Sequence, residues 1–99
     1  MIPELEISRL ATAELDLARA WYENQRRDLG EEFLDEVERH IAAIRESPLR
    51  FPIHHHAVRR CVMGRFPFQI FFDIRPTKIR ILRVVHSSRD PGPIQELLP

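Results

Sequence analysis

From Phe66 to Ile74 the chain alternates with a period of two. Phe66, Phe68, Ile70, Phe72 and Ile74 share one parity and are all apolar, while Pro67, Gln69, Phe71 and Asp73 share the other. Successive side chains of a strand point to opposite faces, so this stretch predicts a strand with one wholly apolar face and one mixed face. An apolar sheet face must be buried against another layer. The apolar face is therefore expected to carry whatever helices the chain makes, and the mixed face to be left open. Pro67 has no amide hydrogen for a ladder and belongs at a bulge or just before pairing begins.

Two further runs flank this strand. Val58–Met63 (VRRCVM) stops at Gly64, and Lys78–His86 (KIRILRVVH) follows a turn at Arg75-Pro76-Thr77. Near the N-terminus, Glu4–Leu10 (ELEISRL) alternates as a half-buried strand. Between them the period changes. Thr12 offers a hydroxyl N-cap, with Glu14 and Asp16 suited to the positive end of a helix dipole. Leu15, Ala18, Trp21, Tyr22 and Gln25 recur at helical spacing, and Leu29-Gly30 supplies a stop. Phe33, Val37, Ile41 and Ile44 form a second stripe, with Glu31, Glu32, Asp35, Glu36 and Glu38 as its wet side. Ser47-Pro48 ends that helix, and Pro48–His56 reads as a loop. So short a join makes the two helices an antiparallel hairpin. The predicted fold is α+β: a two-helix hairpin on one face of a small, mainly antiparallel four-stranded sheet, in the order β-α-α-β-β-β. At this length residues 1–99 form one domain.

No stretch approaches the roughly 20 apolar residues of a membrane span. The opening MIPELEISRL lacks the basic and long apolar runs of a secretion signal. Cys61 is the single cysteine and has no partner for a disulfide. These features predict a cytoplasmic protein with no membrane contact. The zero net charge hides a split. Residues 1–49 hold 6 arginines against 12 acids, giving −6, and residues 50–99 hold 9 basic residues against 3 acids, giving +6. Such asymmetry signals either a partner or simply two solvated faces.

The chemistry-bearing residues gather late in the chain. Arg59 or Arg60, with Arg65, Arg83 and Arg89, form a set able to hold phosphates or a partner's carboxylates; ordinary cross-strand ion pairing is the alternative. Arg83 shares parity with Ile79, Ile81 and Val85, and His86 shares it with Arg80, Leu82 and Val84. The two therefore point to opposite faces unless a bulge intervenes, and Asp73 on the neighbouring strand is an available carboxylate. His86 beside Arg89 has the residue types for proton transfer in phosphodiester cleavage, or for a structural hydrogen bond at a strand end. Asp90 before Pro91 suits a turn. In His54-His55-His56 only the outer two share a side of an extended chain, and no further ligand motif follows, so no metal or other cofactor is implied. Cys61 reads as a half-buried small side chain, and Trp21 and Tyr22 as core aromatics.

The order of elements, VRRCVMGRFPFQIFFDI and the terminal ILRVVHSSRDP together resemble the RelE/ParE superfamily of bacterial toxins, on its ParE-like branch. The resemblance runs from about Leu5 to Pro91. It rests on the joint spacing of Arg59, the Gly64-Arg65-Phe66-Pro67-Phe68 turn, Arg83 and His86-x-x-Arg89-Asp90. It implies the toxin of a type II toxin–antitoxin (plasmid stabilisation) pair, silenced by a cognate antitoxin in a hetero-oligomer. ParE-like members bind and inhibit DNA gyrase. RelE-like members are ribosome-dependent messenger RNA endonucleases, and in that case Arg59, Arg65, His86 and Arg89 would surround the scissile phosphate. Three departures favour protein binding by Arg59, Arg65, Arg83, His86 and Arg89 over cleavage. No tyrosine follows Arg89, Gln69 stands where many relatives carry arginine, and the chain is neutral where a phosphate binder is basic. An inactive toxin-fold binding protein is the third reading. The acidic face of the second helix is expected to suit the basic part of an antitoxin, whose strand or helix would cover an exposed edge and groove.

Overall fold

The computed structural model describes residues 2–89. Strand β1 (Glu4–Ile7) leads to helices α1 (Arg9–Gln25) and α2 (Leu29–Glu46) and a single 3₁₀ turn (Pro48–Arg50). Strands β2 (Ile53–His55), β3 (Val58–Val62), β4 (Phe68–Ile74) and β5 (Lys78–His86) follow. They order as β1-β5-β4-β3-β2, parallel between β1 and β5 and antiparallel elsewhere. This is the predicted α+β architecture, with five strands instead of four. The additional strand lies in Pro48–His56, expected to be a loop. Ile53 pairs with Arg59, the Arg60 amide donates to Pro52 O at 3.0 Å, and His56 turns the chain with φ 50°. The turn expected at Asp90 and Pro91 falls outside the described residues.

Helix α1 begins earlier than its sequence suggests. Ser8, not Thr12, is its N-cap: Ser8 Oγ accepts from the Ala11 amide at 3.0 Å and donates to Leu82 O at 2.8 Å. One hydroxyl thus satisfies an orphan helix donor and a carbonyl of β5 together. Thr12 sits inside the first turn and donates to Ser8 O. The strand-like alternation through Leu10 masked this junction.

The hairpin turn departs from expectation too. Gly30 lies within α2 and does not stop α1. A Cβ there would sit 2.8 Å from Arg19 O and 2.9 Å from Glu23 Oε1. Glycine lets the helices close to that distance. The turn itself uses Asp28 in the left-handed region, φ 67°. Glu23 accepts from the Asp28 amide at 2.9 Å and the Gly30 amide at 3.0 Å, so a side chain of α1 caps α2. Those bonds hold its carboxyl below the ordinary range.

Phe33, Val37, Ile41 and Ile44 of α2, with Ala11 and Ala18 of α1, pack on Ile70, Phe72, Ile79, Ile81 and Val84. The far side of the sheet is not open as expected. Val58, Phe71, Leu82 and Val85 form a second buried cluster, with the His54 ring 4.9 Å from Phe71. Neighbouring strands supply apolar side chains that the alternation of β4 alone does not reveal. Buried beside them, Arg80 makes a bidentate pair with Asp73 at 2.9 and 2.6 Å.

A bulge on β5 alters the predicted facing. Phe71 pairs with Arg83 but Phe72 pairs with Ile81, leaving Leu82 as the additional residue. His86 therefore pairs with Phe68 and joins the side of Ile81 and Val84. Arg83, at the bulge, reaches Glu14 of α1, and Asp73 is taken by Arg80.

Candidate partner-binding groove

Past the end of β1, the edge of β5 is covered by α1. Glu14 Oε1 accepts from the Val84 amide at 2.9 Å, and Glu14 Oε2 takes Arg83 Nε at 3.0 Å and Nη2 at 2.7 Å. Beyond this contact α1 and β5 diverge. The gap is an open groove of about 710 Å³ between α1 and the ends of β4 and β5. Leu17, Trp21, Phe68 and Val84 give it an apolar lining, and Glu14, His86, Ser88 and Arg89 supply its polar groups.

Its wall is a run of aromatic rings. Trp21 stands edge-on to Tyr22 at 5.1 Å, Tyr22 to Phe68 at 6.1 Å, and Phe68 to His86 at 5.3 Å. Tyr22 belongs to the core, as expected, and burial raises its phenol above the ordinary value. Trp21 does not. It is 59% exposed, and Leu17 beside it is 74% exposed. An apolar helix face left in water is a stronger partner signal than isolated surface leucines.

The turn after β5 fixes the chemistry of His86. The Ser88 amide donates to His86 Nδ1 at 3.2 Å, and Ser88 Oγ lies 2.8 Å from the same nitrogen. A nitrogen that accepts an N–H carries no proton, so the neutral ring has its hydrogen on Nε2. In that tautomer His86 offers a donor at Nε2, and its lone pair is engaged by Ser88. Arg89 N donates to His86 O at 2.9 Å and Ser87 N to Pro67 O at 2.7 Å, tying this turn to the start of β4.

The remaining arginines lie apart from this end of the groove. Arg59 donates to Phe51 O at 2.7 Å, bracing the 3₁₀ turn against β3. Arg65 pairs with Glu32 of α2 and stacks 5.0 Å over Phe66. His86 and Arg89 thus share the groove end, Arg83 approaches it through Glu14, and Arg59 and Arg65 hold other parts of the fold. The acidic side of α2 is largely engaged as well: Glu31 meets Arg19, Glu32 meets Arg26 and Arg65, and Glu36 meets Arg39. Hydrogen bonds from Arg65 and then Arg26 lower the Glu32 pKa. Among the described residues no cluster of three potential metal ligands occurs, and no helix is long and apolar enough to cross a membrane.

A family model described as the ParE toxin of the type II toxin–antitoxin system, parDE, matches residues 5–91. The chain belongs to the ParE toxin family. A solved structure described as the chromosomal ParDE TA system from P. aeruginosa shares the fold at TM-score 0.76 and 20% identity, covering 86% of this chain and 96% of that one. No curated protein matches. Within this ParE-family fold, the groove residue that sequence reasoning missed is Leu17. Its place off the stripe of Leu15, Ala18 and Tyr22 was the available signal.

Proposed function

We propose that this ParE-family toxin inhibits DNA gyrase by binding it, in the cytoplasm, and is silenced by a cognate antitoxin in a hetero-oligomer. Family membership over residues 5–91 supports the toxin role. The observation that carries binding over cleavage is the state of His86. Its Nδ1 is engaged by Ser88, which favours the tautomer with the proton on Nε2. A ribonuclease reading needs a base and several guanidinium groups around one phosphate. Here Arg59 and Arg65 are committed to Phe51 O and Glu32, away from His86 and Arg89. A groove with an apolar wall and hydrogen-bond donors at one end suits a protein segment.

The test uses purified toxin freed of antitoxin. Gyrase supercoiling should be blocked, and messenger RNA in a translating extract should stay intact. Normal supercoiling at saturating toxin overturns the reading. Cutting of translated messages that His86→Ala abolishes would instead establish the nuclease. No growth defect on expression without antitoxin would point to an inactive binding protein.

A further inference from the structure

Residues 47–72 carry four arginines and three histidines and no Asp or Glu. They build the β2 side of the sheet, and there the ladder stops short. The Arg60 amide donates to Pro52 O and Ile53 lies opposite Arg59, but β3 runs on to Val62 with no described strand beside it. Met63 N donates to Phe68 O of β4, so by alternation the amide and carbonyl of Val62 point away from β4. They meet no partner among the described residues. The Val62 side chain is 58% exposed, and Ile53 at the start of β2 is 59% exposed. An open edge flanked by exposed β-branched side chains can accept one more extended segment.

Charge narrows the occupant. Arg60 pairs across with Phe71, whose ring is 4.9 Å from that of His54, and Val62 follows on the same side of the sheet. Arg60 is half-buried and makes no ion pair among the described residues, and its Nε is shut off from water with no acceptor. A guanidinium partly withdrawn from water and lacking an acid calls for a carboxylate, whose two oxygens match its fork. A second copy meeting the same edge brings none, because residues 47–72 hold none. Phosphates would suit Arg60 but leave Val62 and its open main-chain groups unused. The basic part expected of an antitoxin has the wrong sign.

Resting on the gyrase reading above, we propose that this edge docks an extended, acidic segment of gyrase. The segment lies beside Val62 and adds to β3 through main-chain hydrogen bonds, while an Asp or Glu within it meets Arg60. Main-chain pairing supplies affinity, and the carboxylate fixes the register. Arg60 gains the acid that no described residue offers it, and Val62 and Ile53 are covered.

The test measures affinity for purified gyrase and, separately, for the antitoxin encoded by the paired reading frame. Wild type is compared with Arg60→Gln, Arg60→Glu and Val62→Pro. Proline at position 62 removes an amide that the β4 ladder does not use, and urea midpoints check that each variant folds. Should Arg60→Glu fail to fold, Arg60→Gln carries the reading. Arg60→Gln and Val62→Pro should weaken gyrase binding about tenfold and Arg60→Glu about a hundredfold, with inhibition of supercoiling falling in step. Antitoxin affinity should hold throughout, and Glu38→Ala, on α2, should change neither. Wild-type gyrase affinity in the Arg60 variants and Val62→Pro overturns the edge assignment and leaves the gyrase reading standing. Loss of antitoxin affinity with gyrase affinity intact gives the edge to the antitoxin and overturns the proposal. So does a sedimenting dimer that Val62→Pro disperses, or binding of bare duplex DNA that Arg60→Gln abolishes, when gyrase affinity is intact. Wild-type toxin that neither binds gyrase nor slows supercoiling overturns the gyrase reading and this assignment with it.

Discussion

Glu14 and Arg83 join α1 to the bulge of β5: the Glu14 carboxylate takes Arg83 Nη2 at 2.7 Å, Arg83 Nε at 3.0 Å and the Val84 amide at 2.9 Å. One side chain does what the next residues of β1 would have done had that strand continued. It also sets where α1 leaves β5, and so where the groove opens. Glu14→Gln keeps an oxygen for the Val84 amide and loses the ion pair. Glu14→Ala loses both and leaves Arg83 largely buried. Urea unfolding should show a cost of about 1 kcal/mol for the first and about 2–3 for the second. Equal costs would mean that the bond to the Val84 amide contributes nothing, and no cost in Glu14→Gln would mean that the charge contributes nothing.

Gly30 should resist substitution although it sits in a helix. Alanine ordinarily gains about 1 kcal/mol over glycine in a helix interior. Here its Cβ would sit 2.8 Å from the Arg19 carbonyl and 2.9 Å from the Glu23 carboxylate. The first is backbone and cannot swing aside. Gly30→Ala should therefore be destabilising by about 1–3 kcal/mol. A rise in melting temperature would refute the close approach.

How much of this was legible in sequence differs by element. The stripe of Phe33, Val37, Ile41 and Ile44 and the parity of Phe66–Phe72 identified the helix-covered face directly, because periodicity reports burial. The bulge at Leu82 was invisible, since an inserted residue changes facing without changing composition, and with it went the side assigned to His86. The short β2 was hidden in a proline-bounded histidine run. Trp21 misled because aromatic residues at helical spacing are usually core, and only the packing of Tyr22 beside it shows which of the pair is buried. Convergence of the arginines could not be read at all. Arg65 and Arg83 find carboxylates 33 and 69 residues away in the chain, and Arg59 is held by a backbone carbonyl.

Asp73 and Arg80 form the most deeply buried ion pair described here, at 3% and 8% side-chain exposure. The Asp73 hydrogen bond raises the Arg80 pKa further above its ordinary value. Removing one partner strands the other. Asp73→Ala should cost about 3–5 kcal/mol, while Asp73→Leu combined with Arg80→Met should recover most of the loss, because an apolar pair needs no desolvated charge. The double-mutant cycle is read from chemical denaturation. Additive single costs would show that the pair is not coupled.

Stability should fall in acid through carboxylates whose folded pKa is depressed. Glu6 is lowered by Lys78, Glu23 by the amides of Asp28 and Gly30, and Glu32 by Arg65 and Arg26. A depressed folded pKa contributes stability above the unfolded value, and that stability is lost as pH drops through the folded one. The urea midpoint should thus decline below about pH 5, within the carboxylate range. Glu23→Gln and Glu32→Gln should each make the decline shallower. Salt separates them: the Glu32 pairs are exposed and screened, whereas Glu23 is held by backbone amides. A decline in 1 M salt as shallow for wild type as for Glu23→Gln would contradict the capping role.

Cys61 should be chemically silent until the protein unfolds. It is buried on β3 in the core beneath the helices. Burial pushes its thiol up to about 11, against a smaller opposing effect of Arg50. Arg60 does not activate it, because strand alternation turns it to the other side, and Arg59, on the same side as Cys61, is spent on Phe51 O. At pH 8 the thiolate, which is the nucleophile, is a very small fraction of the native protein, and the sulfur is shielded besides. Native protein should label with a disulfide reagent at a rate set by unfolding, and the rate should rise steeply through the urea transition. Cys61→Val should then preserve stability to within about 1.5 kcal/mol, as a swap of similar volume. Rapid stoichiometric labelling of native protein would place Cys61 at a surface and contradict the packing of β3 against α2.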